Sequence, residues 1–257
     1  MSTQPATQPS RRLGRPLGAG RDWRRRLLLH HAPLALASAV LLVLFITPMQ
    51  LHHGQPTGLG PRLEFPGRVS MSRLTVATGY VALGLLGLTL LVGPANLLLR
   101  RRNPISSSLR RDVGAWTAIA SVVHVILGFQ LHGRGVFGLL DYFVADGRPL
   151  TTSFGLGNWT GLAALVIVVG LLAISTDGAL RELKARRWKR LQRLNYALFA
   201  LVVLHAIFYG ALSRTTSPFT LLLLSIVGVV LVGQAVGVWL WRRRGSRTAA
   251  SRRDGPG

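Results

Sequence analysis

The chain contains no cysteine. That excludes disulfides, thiolate-ligated iron–sulfur clusters and a cysteine nucleophile. Acidic residues are scarce, 8 against 31 Lys and Arg, and charged residues of every kind make up 15% of the 257 positions. Soluble domains carry about 25%, so the shortfall argues against a soluble globular protein. Strand-like alternation of apolar and polar residues is also missing from the hydrophobic segments, which excludes a transmembrane barrel.

What is present is long apolar sequence. Hydrophobic residues make up 49% of the chain, and "LALASAVLLVLFI", "LTVATGYVALGLLGLTLLVG" and "FTLLLLSIVGVVLVG" carry no charge. Roughly 20 such residues cross a bilayer as a helix. The expected fold is all-α, a polytopic six-helix membrane bundle over 26–242. Its spans are about 27–47, 74–99, 113–132, 158–176, 194–213 and 219–241. Residues 1–25 and 243–257, rich in Pro, Ser, Gly and Arg, read as disordered basic tails. Neither tail is expected to hold a cofactor domain. "SRRLGRPLG" faintly resembles a twin-arginine export signal, but the apolar segment after it is too long for a signal peptide and reads as a retained anchor.

A net charge of +23 invites a nucleic-acid partner. Its distribution argues for a lipid bilayer instead. Lys and Arg fall as 7 in the N-terminal tail, 5 in 100–111, 7 in 176–193 and 6 after Trp241, while the alternate loops hold only Arg62, Arg68, Arg73, Arg134, Arg148 and Arg214. This positive-inside pattern puts both termini in the cytoplasm of a bacterial-type inner (plasma) membrane protein. No RNA- or DNA-binding motif accompanies the charge, so no nucleic acid is expected. Three short motifs carry no function. "GRGVFG" at 133–138 lacks the strand and helix of a dinucleotide fold, "NWT" at 158–160 is a chance sequon, and "GQAVG" at 233–237 reads as close helix packing rather than a homodimer face.

Seven histidines remain. His30 and His31 open the first span, and His52, His53 and His132 fall at outer helix ends or in outer loops. Only His124 and His205 lie deep in apolar sequence. His124 is 13 residues beyond Arg111 and His205 is 12 beyond Arg193, on two spans that run in the same direction. Both imidazoles therefore sit roughly 18–20 Å above the basic edge, at matched depth. An ionisable group there marks a functional site, set against the plainer reading of a histidine hydrogen-bonded to a neighbouring helix. A structural zinc wants four ligands, and none besides these two lies at this depth. A proton relay wants a buried carboxylate, and the acidic residues fall in tails, loops and helix ends. The pattern favours His124 and His205 as axial ligands of one haem b iron, which removes the cost of unpaired imidazoles in lipid.

The motifs carry a resemblance. "LRRDVGAWTAIASVVHVILGF" is similar to the third helix of the ferric-reductase-like transmembrane family, where Arg-Arg-x-x-Gly leads to a haem-ligating His. "STDGALRELKARRWKRLQRLNYALFALVVLH" resembles the sulfoxide-reductase haem-binding subunit branch, with Trp-x-x-Leu-His-Arg-Leu-x-Tyr before a second deep His. "ATGYVALGLLGLTLLVGPANLL" resembles the family's second helix. The resemblance implies a membrane b-type cytochrome subunit of a multi-component oxidoreductase, with His124 and His205 at the deep ligand positions. It implies a cytoplasmic flavin reductase or membrane quinol as donor, with FMN or quinone as a further cofactor. The acceptor would be a periplasmic or extracellular oxidoreductase or a metal ion.

One departure matters. Where the family has Leu-His-Arg-Leu, this chain has Leu191-Gln192-Arg193-Leu194. Gln192 lies 13 residues before His205, and the equivalent position before His124 is Arg111. Neither is an ordinary haem ligand, so a second, inner haem is not expected unless His30 or His31 supplies a ligand. Without it, quinol within the bilayer is favoured over a soluble flavin as donor. In "RELKARRWKR", Trp188 and its basic neighbours read as an interfacial anchor or a reductase-docking surface. His52, His53 and His132 read as scattered polar residues, or as a cluster that would favour metal-ion reduction. The alternatives are a stand-alone ferric reductase and a haem-free transporter or assembly protein.

Overall fold

The computed structural model describes residues 27–46, 71–99, 105–131, 138–213 and 217–253. The expected tail 1–25 and His52, His53 and His132 lie outside them. The described helices are α1 (Ala32–Ile46, entered through a π-helical turn at Leu27–His31), α2 (Met71–Leu98), α3 (Ile105–Leu131), α4 (Ser153–Ala173), α5 (Asp177–Leu191), α6 (Leu194–Phe208) and α7 (Pro218–Arg253). Six segments are long and apolar enough to cross a membrane: Leu27–Ile46, Met71–Leu98, Leu109–Leu131, Ser153–Ala173, Arg186–Phe208 and Pro218–Arg244.

Helix α2 runs through the middle of the bundle, and its Leu83, Leu86 and Leu90 belong to the main core. Ala118 of α3, Ala164, Val168 and Leu171 of α4, Leu198 and Phe199 of α6, and Leu223 and Val230 of α7 complete it. Large apolar side chains such as Leu224, Val229, Leu231 and Val232 face outward, as lipid contact requires. Threonine hydroxyls in the core bond the carbonyl one turn back, Thr89 to Leu85 and Thr117 to Val113, both at 2.9 Å. These two hydroxyl hydrogens are thereby not stranded in hydrocarbon.

Gly233 and Gly237 let α7 close on α2. A Cβ at Gly233 would meet Leu91, and one at Gly237 would stand 3.0 Å from Pro94 Cγ. The small-residue pattern is thus used inside the chain, as the packing reading expected.

Several boundaries differ from expectation. Helix α3 begins at Ile105 rather than near 113, because "ISSSLRR" continues the helix into its polar approach. The fifth span is broken at Gln192–Arg193, where the Asn195 side chain donates to the Gln192 carbonyl (3.0 Å) and to its Oε1 (3.2 Å). It then ends at Phe208 rather than 213, with a left-handed residue at Gly210, φ 79°. Beyond Arg242 the backbone stays helical to Arg253, where the sequence had suggested a disordered tail from 243.

The two ends of the bundle differ. At one, Trp188 donates to the Ile174 carbonyl (3.1 Å), which folds α5 back on α4, and Arg244 donates to the Leu97 carbonyl. The other carries a 3-10 turn, Leu139–Tyr142, and a hairpin of β1 (Val144–Ala145) with β2 (Arg148–Pro149). Asp146 and Gly147, at φ 52° and 73°, make its tight turn, the Asp-Gly arrangement that suits hairpin twist. The first is the arginine end and the second the hairpin end.

Candidate functional site

His124 of α3 and His205 of α6 come together inside the bundle, one turn from the hairpin end of α6. Their ring centres are 6.0 Å apart and their planes cross at 82°. Each ring is held in the same way. His124 Nδ1 donates to the Thr75 carbonyl of α2 at 2.8 Å, and His205 Nδ1 donates to the Gly157 carbonyl of α4 at 2.7 Å. A carbonyl oxygen only accepts, so the proton sits on Nδ1 and Nε2 keeps its lone pair. That is the tautomer a metal needs.

A glycine stands one turn beyond each carbonyl. A Cβ on Gly79 would lie 3.0 Å from His124 Cε1, and one on Gly161 would lie 2.8 Å from His205 Nδ1. The imidazoles therefore rest on bare helix backbone. Thr75 with Gly79 and Gly157 with Gly161 form one cradle built twice, each as a carbonyl and a glycine four residues apart.

The two rings are close enough that both imidazoles would reach one metal-bearing group. Among the described residues no group of three or more His, Cys, Asp or Glu could hold a bare metal ion. A two-histidine set suits a metal that brings its own equatorial ligands, as haem iron does.

The other sequence candidates separate into two places. Arg111, Trp188 and Gln192 line a cavity of about 200 Å³ at the arginine end, together with Asn96, Arg110 and Ser175. No histidine or acidic residue lines it. Arg110 Nε is buried there without a hydrogen-bond partner. The cavity is smaller than the roughly 300–1,000 Å³ of drug-sized ligand sites, and no imidazole lines it.

His30 and His31 do not reach that cavity. His30 Nδ1 meets Asp112 Oδ2 at 2.7 Å, His31 Nε2 stands 3.8 Å from Asp112 Oδ1, and Trp116 donates to His31 Nδ1 at 3.2 Å. Asp112 is 2% exposed. The expectation that acidic residues keep to tails, loops and helix ends is corrected here: α3 starts early enough to carry Asp112 into the bundle wall. The two cradles were also missed. Gly79 and Gly161 are visible as glycines inside apolar helices, but a carbonyl acceptor leaves no mark in a sequence.

Residues 78–203 match the family described as ferric reductase like transmembrane component. The chain is 32% identical over 174 residues to the protein-methionine-sulfoxide reductase heme-binding subunit MsrQ of Bordetella pertussis, covering 67% of this chain and 77% of that protein. The subunit of the same name from Ralstonia nicotianae is 31% identical over 179 residues, 69% of this chain and 75% of the relative. That of Deinococcus radiodurans is 32% identical over 140 residues, 54% of this chain and 63% of the relative.

Proposed function

This chain belongs to the ferric reductase-like transmembrane family, in its protein-methionine-sulfoxide reductase haem-binding branch, and from that premise we propose that it carries electrons through one haem b held between His124 and His205. It is a multi-pass membrane protein and a haem-binding electron-transfer subunit of an oxidoreductase. The observation that carries the finer reading is the pair of imidazoles 6.0 Å apart, each with Nδ1 on a backbone carbonyl.

A haem held there supplies a one-electron couple. The protein's residues do the rest. The Thr75 and Gly157 carbonyls fix the tautomer and raise the basicity of each ligand. Gly79 and Gly161 leave room for the rings, and the apolar helices keep the dielectric low. Without a cysteine, no thioether can tether the group, so it is held by ligation and packing alone.

The lysine and arginine distribution supports the arginine end as cytoplasmic, in a bacterial inner membrane. Electrons then enter at that end and leave at the hairpin end, toward a periplasmic or extracellular oxidoreductase or a metal ion. The donor best supported is a membrane quinol. The cavity beside Gln192 accommodates a single-ring head group, and Arg110 lines it with a cationic side chain suited to a quinone oxygen. The runner-up donor is a cytoplasmic flavin reductase, with FMN at this end.

Haem reduction in vesicles separates the donors. A short-chain quinol should reduce the haem, while a soluble flavin reductase with its nicotinamide should not until quinone is added. Equal reduction by the flavin reductase in quinone-free vesicles would contradict the quinol reading.

A further inference from the structure

We propose that Tyr209 is a positioning residue for the haem ligand His205, and that Asn158 links it to the hairpin end of the bundle. The proposal rests on the reading of His205 as a ligand. Tyr209 stands one turn beyond His205, and the two rings are 4.9 Å apart. Its hydroxyl donates to Asn158 Oδ1 at 2.6 Å, and Asn158 Nδ2 donates to the Tyr142 carbonyl at 2.9 Å. Asn158 directly follows Gly157, the residue whose carbonyl accepts the hydrogen bond from His205 Nδ1–H.

The tyrosine ring also presses on that same peptide. A Cβ on Gly157 would lie 2.6 Å from Tyr209 Cε2, so only glycine lets the ring approach this closely. The link continues to the other ligand helix. Tyr142, 3% exposed, donates its hydroxyl to the Phe129 carbonyl of α3 at 2.9 Å, and their rings are 5.1 Å apart. Phe129 lies just over one turn beyond His124. Tyr209, Asn158, Tyr142 and Phe129 therefore tie α6, α4 and α3 together at the hairpin end, with no charged group in the series.

The chemistry follows from the position of the Gly157 carbonyl. The stronger its hydrogen bond from Nδ1–H, the more electron density His205 gives a metal on Nε2. Tyr209 and Asn158 clamp the Gly157–Asn158 peptide in place. Removing the tyrosine hydroxyl takes away the donor to Asn158 Oδ1 and loosens the carbonyl. A weaker acceptor for the imidazole Nδ1–H makes His205 a poorer electron donor to the metal and stabilises the oxidised metal less, so the reduction potential rises.

The test uses the haem-loaded full chain in detergent, as wild type, Tyr209→Phe, Asn158→Leu and the double variant. Midpoint potential is read by optical redox titration and haem loss by transfer to an excess of apomyoglobin. Tyr209→Phe keeps the ring, so thermal melting of the helices should stay close to wild type. The proposal expects a higher potential and about tenfold faster haem loss in each single variant. The double variant should shift no further than the larger single, as members of one hydrogen-bonded unit do. Unchanged potential and haem loss in Tyr209→Phe would overturn it, as would additive shifts. A wild-type protein that binds no haem would fail the functional reading itself.

Discussion

Gly161 has no room for a side chain, because its Cβ would stand 2.8 Å from Nδ1 of His205. The contact is with an imidazole whose Nδ1 is already committed to Gly157, so the ring cannot swing aside without losing its hydrogen bond. Gly161→Ala should weaken haem retention by about tenfold, and Gly79→Ala should do the same through His124, somewhat less at its 3.0 Å contact. A Cβ at Gly170 meets nothing within 4 Å, and Gly170→Ala should leave haem retention unchanged. The haem-to-protein ratio after purification checks all three.

The first span is held by a polar contact as well as by packing. Among its described residues none is fully buried, but Leu34 and Phe45 pack against Val81, Leu85 and Val113, and His30 meets Asp112 at 2.7 Å. His30→Ala should cost about 1–3 kcal/mol by withdrawing a partner from a buried carboxylate, seen as a lower melting temperature. The haem spectrum should stay as in wild type. Loss of haem in His30→Ala would make this histidine a ligand instead.

Arg110 offers a third test. Its cationic side chain lines the cavity at the arginine end. A hydrogen bond from a charged donor is worth about 1.5–3 kcal/mol, so Arg110→Met should slow quinol-driven haem reduction about tenfold or more. Haem content and chemical reduction by dithionite should not change. Stopped-flow reduction by a short-chain quinol measures the difference.

Much of this architecture was legible in the sequence, for identifiable reasons. Uncharged runs of membrane length mark six spans whatever their packing. Counting 12 and 13 residues from Arg193 and Arg111 brings His205 and His124 to one depth, because helical rise is constant, and their rings meet. Positions that depend on a neighbour's backbone were not legible. Nothing in "TVATG" says that the Thr75 carbonyl will face His124, since backbone acceptors are the same at every residue. Asp112 was misjudged because its burial depends on where α3 starts, and helix starts are poorly marked in the polar approach "RRNPISSSLRRD". In the sequence Gln192 reads only as a lost ligand. Its structural role, an acceptor for Asn195, depends on a side chain three residues on that folds back toward it.

The central claim is one haem between His124 and His205. Its most direct test is the reduced-minus-oxidised visible spectrum of the purified protein, with haem per chain quantified, for wild type, His124→Ala and His205→Ala. The account predicts sharp b-type bands at about one haem per chain in wild type, and their loss in each variant. Bands that persist in either variant, or two haems per wild-type chain, would contradict it.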